Sequence, residues 1–265
     1  MKPMAALAGL IVVAGVVAIA QEPGRVVVPA RNSSRPRLVD ASQTSGSITV
    51  KAYNGREVIV ETGSSTSPRQ ERTFEGMKRI DIPWRSGLTV EEDDNVITVR
   101  TPGHPSAGLV ITVPVDTSLK LKSVNGSITA EGVHGEIEAK TTNARIELTG
   151  VSGTVVAETT NGSIHVTMDR IDSAKPMSFS SFNGSVDVTL PPDLKANLKL
   201  RTDRGSIWSD FDVRLTGGAV AEKSDSPEGR FRVRLDRTMS ATVNGGGLEI
   251  SFSTYNGSIY IRKKK

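Results

Sequence analysis

The stretch from Ser123 to Val166, "SVNGSITAEGVHGEIEAKTTNARIELTGVSGTVVAETTNGSIHV", repeats itself every nine residues. Ile128, Ile137, Ile146, Val155 and Ile164 stand nine apart, and the series starts one unit earlier at Leu119. Two residues after each anchor comes a second apolar series: Leu121, Ala130, Ala139, Leu148, Ala157 and Val166. Three residues before each anchor sits a turn-forming type: Asp116, Asn125, His134, Asn143, Ser152 or Asn161. In four of these six units the next residue is Gly. Apolar-polar-apolar alternation marks a strand with one buried face. Alternate units are more alike than neighbours. "GV" closes one kind (Gly132-Val133, Gly150-Val151), while "KTT" or "ETT" closes the other (Lys140 to Thr142, Glu158 to Thr160). The structural period is therefore 18 residues, with two strands and two corners. Short fixed periods signify stacked coils, none of which buries its apolar face alone. The expectation is an all-β fold, a parallel β-solenoid (β-helix) with two strands per coil of about 18 residues and right-handed winding.

The triplet Asn-Gly-Ser occurs at Asn125, Asn161, Asn183 and Asn256. It matches a glycosylation acceptor, but Asn143, in the same register, is followed by Ala-Arg and is no acceptor. What the series shares is turn chemistry, since Asn and Gly adopt the conformations that corners need. Stacked Asn125, Asn143 and Asn161 are expected to hydrogen-bond along the axis, as amides do in cross-β stacks.

Outside the repeat the pattern loosens. Lys2 precedes an uncharged apolar run from Met4 to Ala20, with small residues at Ala18 and Ala20. Residues 1–20 read as a signal peptide cleaved after Ala20, with an uncleaved membrane anchor as the rival reading. Residues 21–37 hold three prolines and read as a linker, leaving 38–265 as a single solenoid domain. Val186 follows Ile164 by 22 residues, so "DRIDSAKPMSF" carries an insertion. Val213 to Pro227 reads as a loop, "RFRVRL" as a strand and the "IRKKK" tail as a frayed end. Trp84 and Trp208 read as core or cap residues.

Composition narrows the chemistry. Aromatics are 4% of residues, which leaves a core of small and β-branched side chains. No cysteine is present, which removes disulfides and thiolate sites. The net charge of +4 is dispersed and demands no nucleic-acid partner. None of the six units has the Gly-Gly-x-Gly-x-Asp pattern of calcium-binding nonapeptides. "EEDD" (Glu91 to Asp94) reads as a solvated turn. His104, His134 and His165 share no column, and no nucleophile elbow, phosphate loop or His-Glu-x-x-His is present. Accordingly no catalytic, cofactor-binding or metal-ligating residue is assigned, no cofactor is expected, and the chain does not read as an enzyme.

The last third carries a resemblance. Leu190 to Leu194 ("LPPDL"), Gly205 to Ile207 ("GSI"), Asn244 to Gly247 ("NGGG") and Asn256 to Ile259 ("NGSI") resemble the closing motifs of a bacterial adhesin-like family of β-strand repeats. That family is a domain of unknown function. The likeness runs roughly from Ser45 to Arg262, with Arg204 replacing the usual Asn. It implies a β-helical, envelope-exposed protein. The expected function is that of a non-enzymatic exported adhesin-like binding or scaffolding protein, periplasmic, cell-surface or secreted. The alternatives are an envelope-stress or signalling sensor and a polysaccharide-active β-helix enzyme. Expected partners are a surface ligand (glycan, cell wall or protein), no nucleic acid, and a membrane only if the N-terminal segment is uncleaved.

Overall fold

The computed structural model describes residues 24–31, 35–62, 88–101, 108–171, 175–217, 221–225, 231–235 and 238–265. The expected signal segment, Trp84 and His104 lie outside the described residues. The first strands are β1 (Arg25–Val28), β2 (Arg37–Ser45), β3 (Ile48–Tyr53), β4 (Val58–Thr62), β5 (Thr89–Asp93), β6 (Val96–Arg100) and β7 (Leu109–Pro114). The nonapeptide region forms β8 (Thr117–Asn125), β9 (Ile128–Glu131), β10 (His134–Thr141), β11 (Ile146–Asn161) and β12 (Ile164–Arg170). There follow β13 (Met177–Asn183), β14 (Val186–Leu190), β15 (Ala196–Arg204), β16 (Ile207–Ser209) and β17 (Val213–Gly217). A separate antiparallel pair, β18 (Ala221–Asp225) and β19 (Phe231–Leu235), precedes β20 (Met239–Val243), β21 (Leu248–Asn256) and β22 (Ile259–Lys263). No helix occurs among the described residues, so the all-β expectation holds.

The sequence period becomes hydrogen-bond register. Ile137 pairs in parallel with Leu119 on one side and Val155 on the other. Ile146 likewise lies between Ile128 and Ile164. All twelve apolar residues of the two repeat series are buried. Each buried Ile or Leu contributes about 1.5–3 kcal/mol relative to exposure. After the insertion, Val186 pairs with Ile164 and Phe179 with Ala157, so the register resumes.

The strands make two faces joined into one 20-stranded sheet. Face 1 runs β5-β6-β2-β8-β10-β11-β13-β21-β15-β20-β17. Face 2 runs β1-β4-β7-β3-β9-β11-β12-β14-β22-β16. Strand β11 belongs to both: Ile146–Thr149 pairs in face 2, and Val155–Asn161 pairs in face 1. Gly150, at φ +62, turns the chain between them. Inside, Phe179 and Phe252 stack with ring centroids 5.3 Å apart, within a core built mainly of Val, Ile, Leu and Ala.

Several expectations need correction. The ladder is not parallel throughout: β4 runs antiparallel to β7, β5 to β6, β20 to β15 and β17 to β20. These pairings sit toward the two ends of the stack, where added strands cover edges that a bare parallel ladder would leave open. Within the stretch read as linker, Arg25–Val28 forms β1 against β4. Within the stretch read as a loop, Val213–Gly217 and Ala221–Asp225 are strands. "EEDD" lies mostly on β5, and a positive-φ turn at Asp94 and Asn95 leads into β6. Its acids pair with arginines: Arg31 Nε lies 3.0 Å from Glu92, and Arg35 Nη1 lies 2.5 Å from Asp94. The tail is anchored rather than frayed, because Arg262 donates two hydrogen bonds to Asp187 and Lys264 donates to Asp169 at 2.8 Å. Of the two readings of Trp208, core or cap, the core one fails: it stands 60% exposed on β16, which is the terminal strand of face 2 and so a cap position.

The order of coils also departs from chain order. The β2–β3 coil lies between β6–β7 and β8–β9. At the other end, β21–β22 lies between β13–β14 and β15–β16.

Candidate functional site

The corner after each face 1 strand carries the asparagines. Asn143 Nδ2 donates to Asn125 Oδ1 at 2.8 Å, Asn161 to Asn143 at 2.9 Å and Asn183 to Asn161 at 2.8 Å. Asn256 then donates to Asn183 at 2.8 Å, which carries the expected ladder two coils further. Every bond runs the same way, so the amide dipoles add, with N–H groups directed toward Asn125. Ser45 pairs with Asn125 at one end and Arg204 with Asn256 at the other, so the Asn-to-Arg departure caps the ladder.

Glycine follows asparagine because the coils touch there. A Cβ on Gly162 would lie 1.9 Å from the Ala144 carbonyl oxygen, and one on Gly184 would lie 2.0 Å from that of Gly162. Those carbonyls are held by a column that the sequence reading missed. Thr141 donates to Gly126 O, Thr159 to Ala144 O, Ser181 to Gly162 O and Thr254 to Gly184 O, all within 3.1 Å. The signal was the first Thr of "KTT" and "ETT", a polar residue on the inward phase of its strand. Each such bond contributes about 0.5–1.5 kcal/mol net.

Two outward columns of face 1 run beside the ladder. The first is Arg100, Ser42, Lys122, Lys140, Glu158, Ser180, Ser253 and Arg201, each paired with the next across one strand step. The second, two residues nearer the corner, includes Val124, Thr160, Phe182, Tyr255 and Asp203. Phe182 and Tyr255 are 50% and 37% exposed and stack on each other, with centroids 4.8 Å apart and planes 3° from parallel. The Arg204 guanidinium lies 5.6 Å from the Tyr255 ring centre.

The serines leave the surface low between taller neighbours. One trough of about 380 Å³ is lined by Ser42, Arg100, Thr101, Lys122, Ser123 and Val124. A second, also about 380 Å³, is lined by Glu158, Ser180, Phe182, Arg201, Ser253 and Tyr255. In the first, Ser123 is 6% exposed and its Oγ has no hydrogen-bond partner among the described residues. Ser123 stands in the column where Thr141, Thr159, Ser181 and Thr254 bond to carbonyls, yet its own hydroxyl finds no partner among the described residues, nor does Thr101 Oγ1 in the same trough. Lys122 makes no ion pair among the described residues, whereas Lys140 lies 3.1 Å from Glu138 and 3.5 Å from Glu158. A hydrogen bond with Glu138, helped by the charge of Glu158, raises the Lys140 ammonium above its usual pKa. A larger groove of about 520 Å³, lined by Leu38, Lys120, Glu136 and Glu138, carries mixed charge.

His134 and His165 are not brought together. His134 opens β10 instead of a turn, and His165 is exposed on β12 between Glu147 and Asp187. Among the described residues no group of three or more His, Asp or Glu is placed to hold a metal ion. Nor is any helix among them long and apolar enough to cross a membrane.

Residues 37–236 match a family model described as Toastrack DUF4097. None of the curated proteins compared matches the chain. A solved "putative cell adhesion protein" from Clostridium sporogenes aligns at a TM-score of 0.40 and 12% identity, over 91% of this chain and 98% of that one. A "putative adhesin" from Bacteroides fragilis aligns at 0.29 and 10% identity, over 91% and 96%.

Proposed function

The chain belongs to the Toastrack DUF4097 family, and from that premise we propose that it is a non-enzymatic, adhesin-like binding or scaffolding protein exported to the bacterial cell envelope. The observation that carries this reading is the outward ribbon of face 1. An exposed aromatic stack and two serine-floored troughs lie there on a hydrogen-bonded array. Aromatic side chains held in place this way offer contact area at small entropic cost. In this reading the central stack is a two-faced parallel solenoid with two strands per coil, wound right-handed, and residues 38–265 act as one domain after a signal segment at 1–20.

Retention of the full-length chain on immobilised glycans, cell-wall fragments and bacterial surface proteins tests the proposal. A Phe182→Ser/Tyr255→Ser double variant, folded by circular dichroism, is expected to lose about tenfold or more in retention, equivalent to about 1.4 kcal/mol. Undiminished retention removes face 1 as the binding surface. The sensor alternative rests on the apolar run from Met4 to Ala20. The mass of the mature N-terminus decides it, since an uncleaved segment anchors the solenoid to a membrane.

A further inference from the structure

We propose that the face 1 ribbon takes a linear, carboxylate-bearing polysaccharide lying along the stacking axis and occupying both troughs at once; this rests on the binding role proposed above.

The path is set by the columns. Both troughs lie on the same two outward columns, and the strands from Ser42 to the Ser180–Ser253 pair are consecutive neighbours. At about 4.8 Å per strand their centres stand roughly 20 Å apart. A ligand reaching both must be long, straight and perpendicular to the strands. A peptide adding as a β-strand is excluded here, because that mode needs a free sheet edge. Strands β2, β8, β10, β11, β13 and β21 are each paired on both sides.

Charge and surface chemistry select the class. The first trough sets Arg100 and Lys122 on either side of Ser42; Arg100 already lies 3.0 Å from Asp40, whereas the ammonium of Lys122 is uncommitted among the described residues. The buried Ser123 hydroxyl supplies a donor there. The asparagine ladder directs its N–H groups toward Asn125, two residues away. At the far end Arg201 and Arg204 flank the aromatic stack, with Arg201 already 3.5 Å from Asp203. Between the ends Lys140 is neutralised by Glu138 and Glu158. A cation at the first trough, hydroxyl-bearing floors and an aromatic wall at the second, whose Arg201 is balanced by Asp203 and Glu158, suit a chain of sugar rings. The rings present C–H faces to Phe182 and Tyr255, hydroxyls to Ser180 and Ser253, and carboxylates to Lys122.

The test is calorimetry of the full-length chain with oligogalacturonates of two to ten residues. Neutral β-1,4-glucan oligomers of matched length and oligo-dT serve as the other arms. Affinity is expected to rise by about tenfold or more once an oligomer spans roughly 20 Å, as the second trough engages intramolecularly. Lys122→Glu is expected to remove about tenfold or more of the long-oligomer affinity. Equal binding of neutral oligomers overturns the inference, as does preference for oligo-dT, a smooth length dependence or an inert Lys122→Glu. If neutral glycans bind and the aromatic double variant abolishes it, face 1 still binds and only the acidic assignment falls. If oligogalacturonates bind with no response to either variant, face 1 is not the site and both proposals fall. Absence of binding to every oligogalacturonate also refutes the inference.

Discussion

The two corners of each coil solve one problem by opposite means. At the Asn-Gly corner the backbones approach so closely that a methyl group would strike a carbonyl 1.9 Å away. That corner is polar and held by hydrogen bonds: asparagine to asparagine outside, threonine or serine to carbonyl inside. At the Gly-Val corner the glycines turn with φ of +70 and +62, while Val133 and Val151 are fully buried. There the chain is held by burial, and β11 passes through without a break. Glycine repeats along the axis at both corners, since a Cβ on Gly153 would lie 2.5 Å from the Gly135 carbonyl, but a side-chain hydrogen-bond ladder is built only at the first.

The largest break comes from violating the shared period. Deleting Val133 to Gly150 removes one complete 18-residue coil and joins Gly132 to Val151, preserving both corner types. It is expected to leave a cooperatively unfolding protein. Deleting Val133 to Lys140 puts the strands out of phase and is expected to abolish folding. Circular dichroism melts of the two deletion variants must differ, or the period is not the structural unit.

Point substitutions then grade the corners. Gly162→Ala forces a Cβ onto a backbone carbonyl and is expected to cost about 3 kcal/mol or more by urea denaturation. Gly217→Ala, whose Cβ would meet only Ser240 Cβ at 3.9 Å, is the control and is expected to be near neutral. Val151→Ala tests the apolar corner, with an expected loss of about 1–3 kcal/mol. Asn161→Asp keeps the acceptor for Asn183 but removes the donor to Asn143, an expected loss of about 1–2 kcal/mol at neutral pH. Protonation restores a donor, so that loss is expected to shrink as the pH falls below the usual carboxyl range. The smallest effect belongs to Lys140→Gln, at under about 1 kcal/mol. The Lys140 pKa is raised in the fold, so its contribution is complete below pH 10.5 and disappears as the pH rises through the raised value.

The anchors from Leu119 to Ile164 were legible because burial on one face imposes a period that composition cannot mask. The ladder was legible for the same reason: residues in one register must stack. What periodicity does not encode is which distant coil lies alongside. Phe182 and Tyr255 belong to coils far apart in sequence, and they meet because β21 inserts between β13 and β15. The matching contexts "SFNGS" and "TYNGS" hinted at it, since each sets an aromatic just before its corner. The core reading of Trp208 misled because aromatics are usually buried; on a terminal strand its outward phase has no further layer to meet. The tail misled because its lysines look solvated, while Asp187 on the neighbouring strand β14 and Asp169 on β12, one strand further, receive it.

The asparagine ladder also governs how the molecule ages. Asparagine followed by glycine is the pair most prone to cyclise, the glycine nitrogen attacking the side-chain carbonyl and expelling ammonia. In the stack both reactants are occupied. Asn161 and Asn183 each give and take a side-chain bond, and the N–H of Gly162, Gly184 and Gly257 donates to the adjacent coil at 3.0–3.1 Å. Asn54-Gly55 stands outside that arrangement in the bend between β3 and β4. Peptide mapping of stored protein is expected to find isoaspartate there first, so the loop beside the stack keeps the clock while the repeat stays chemically young.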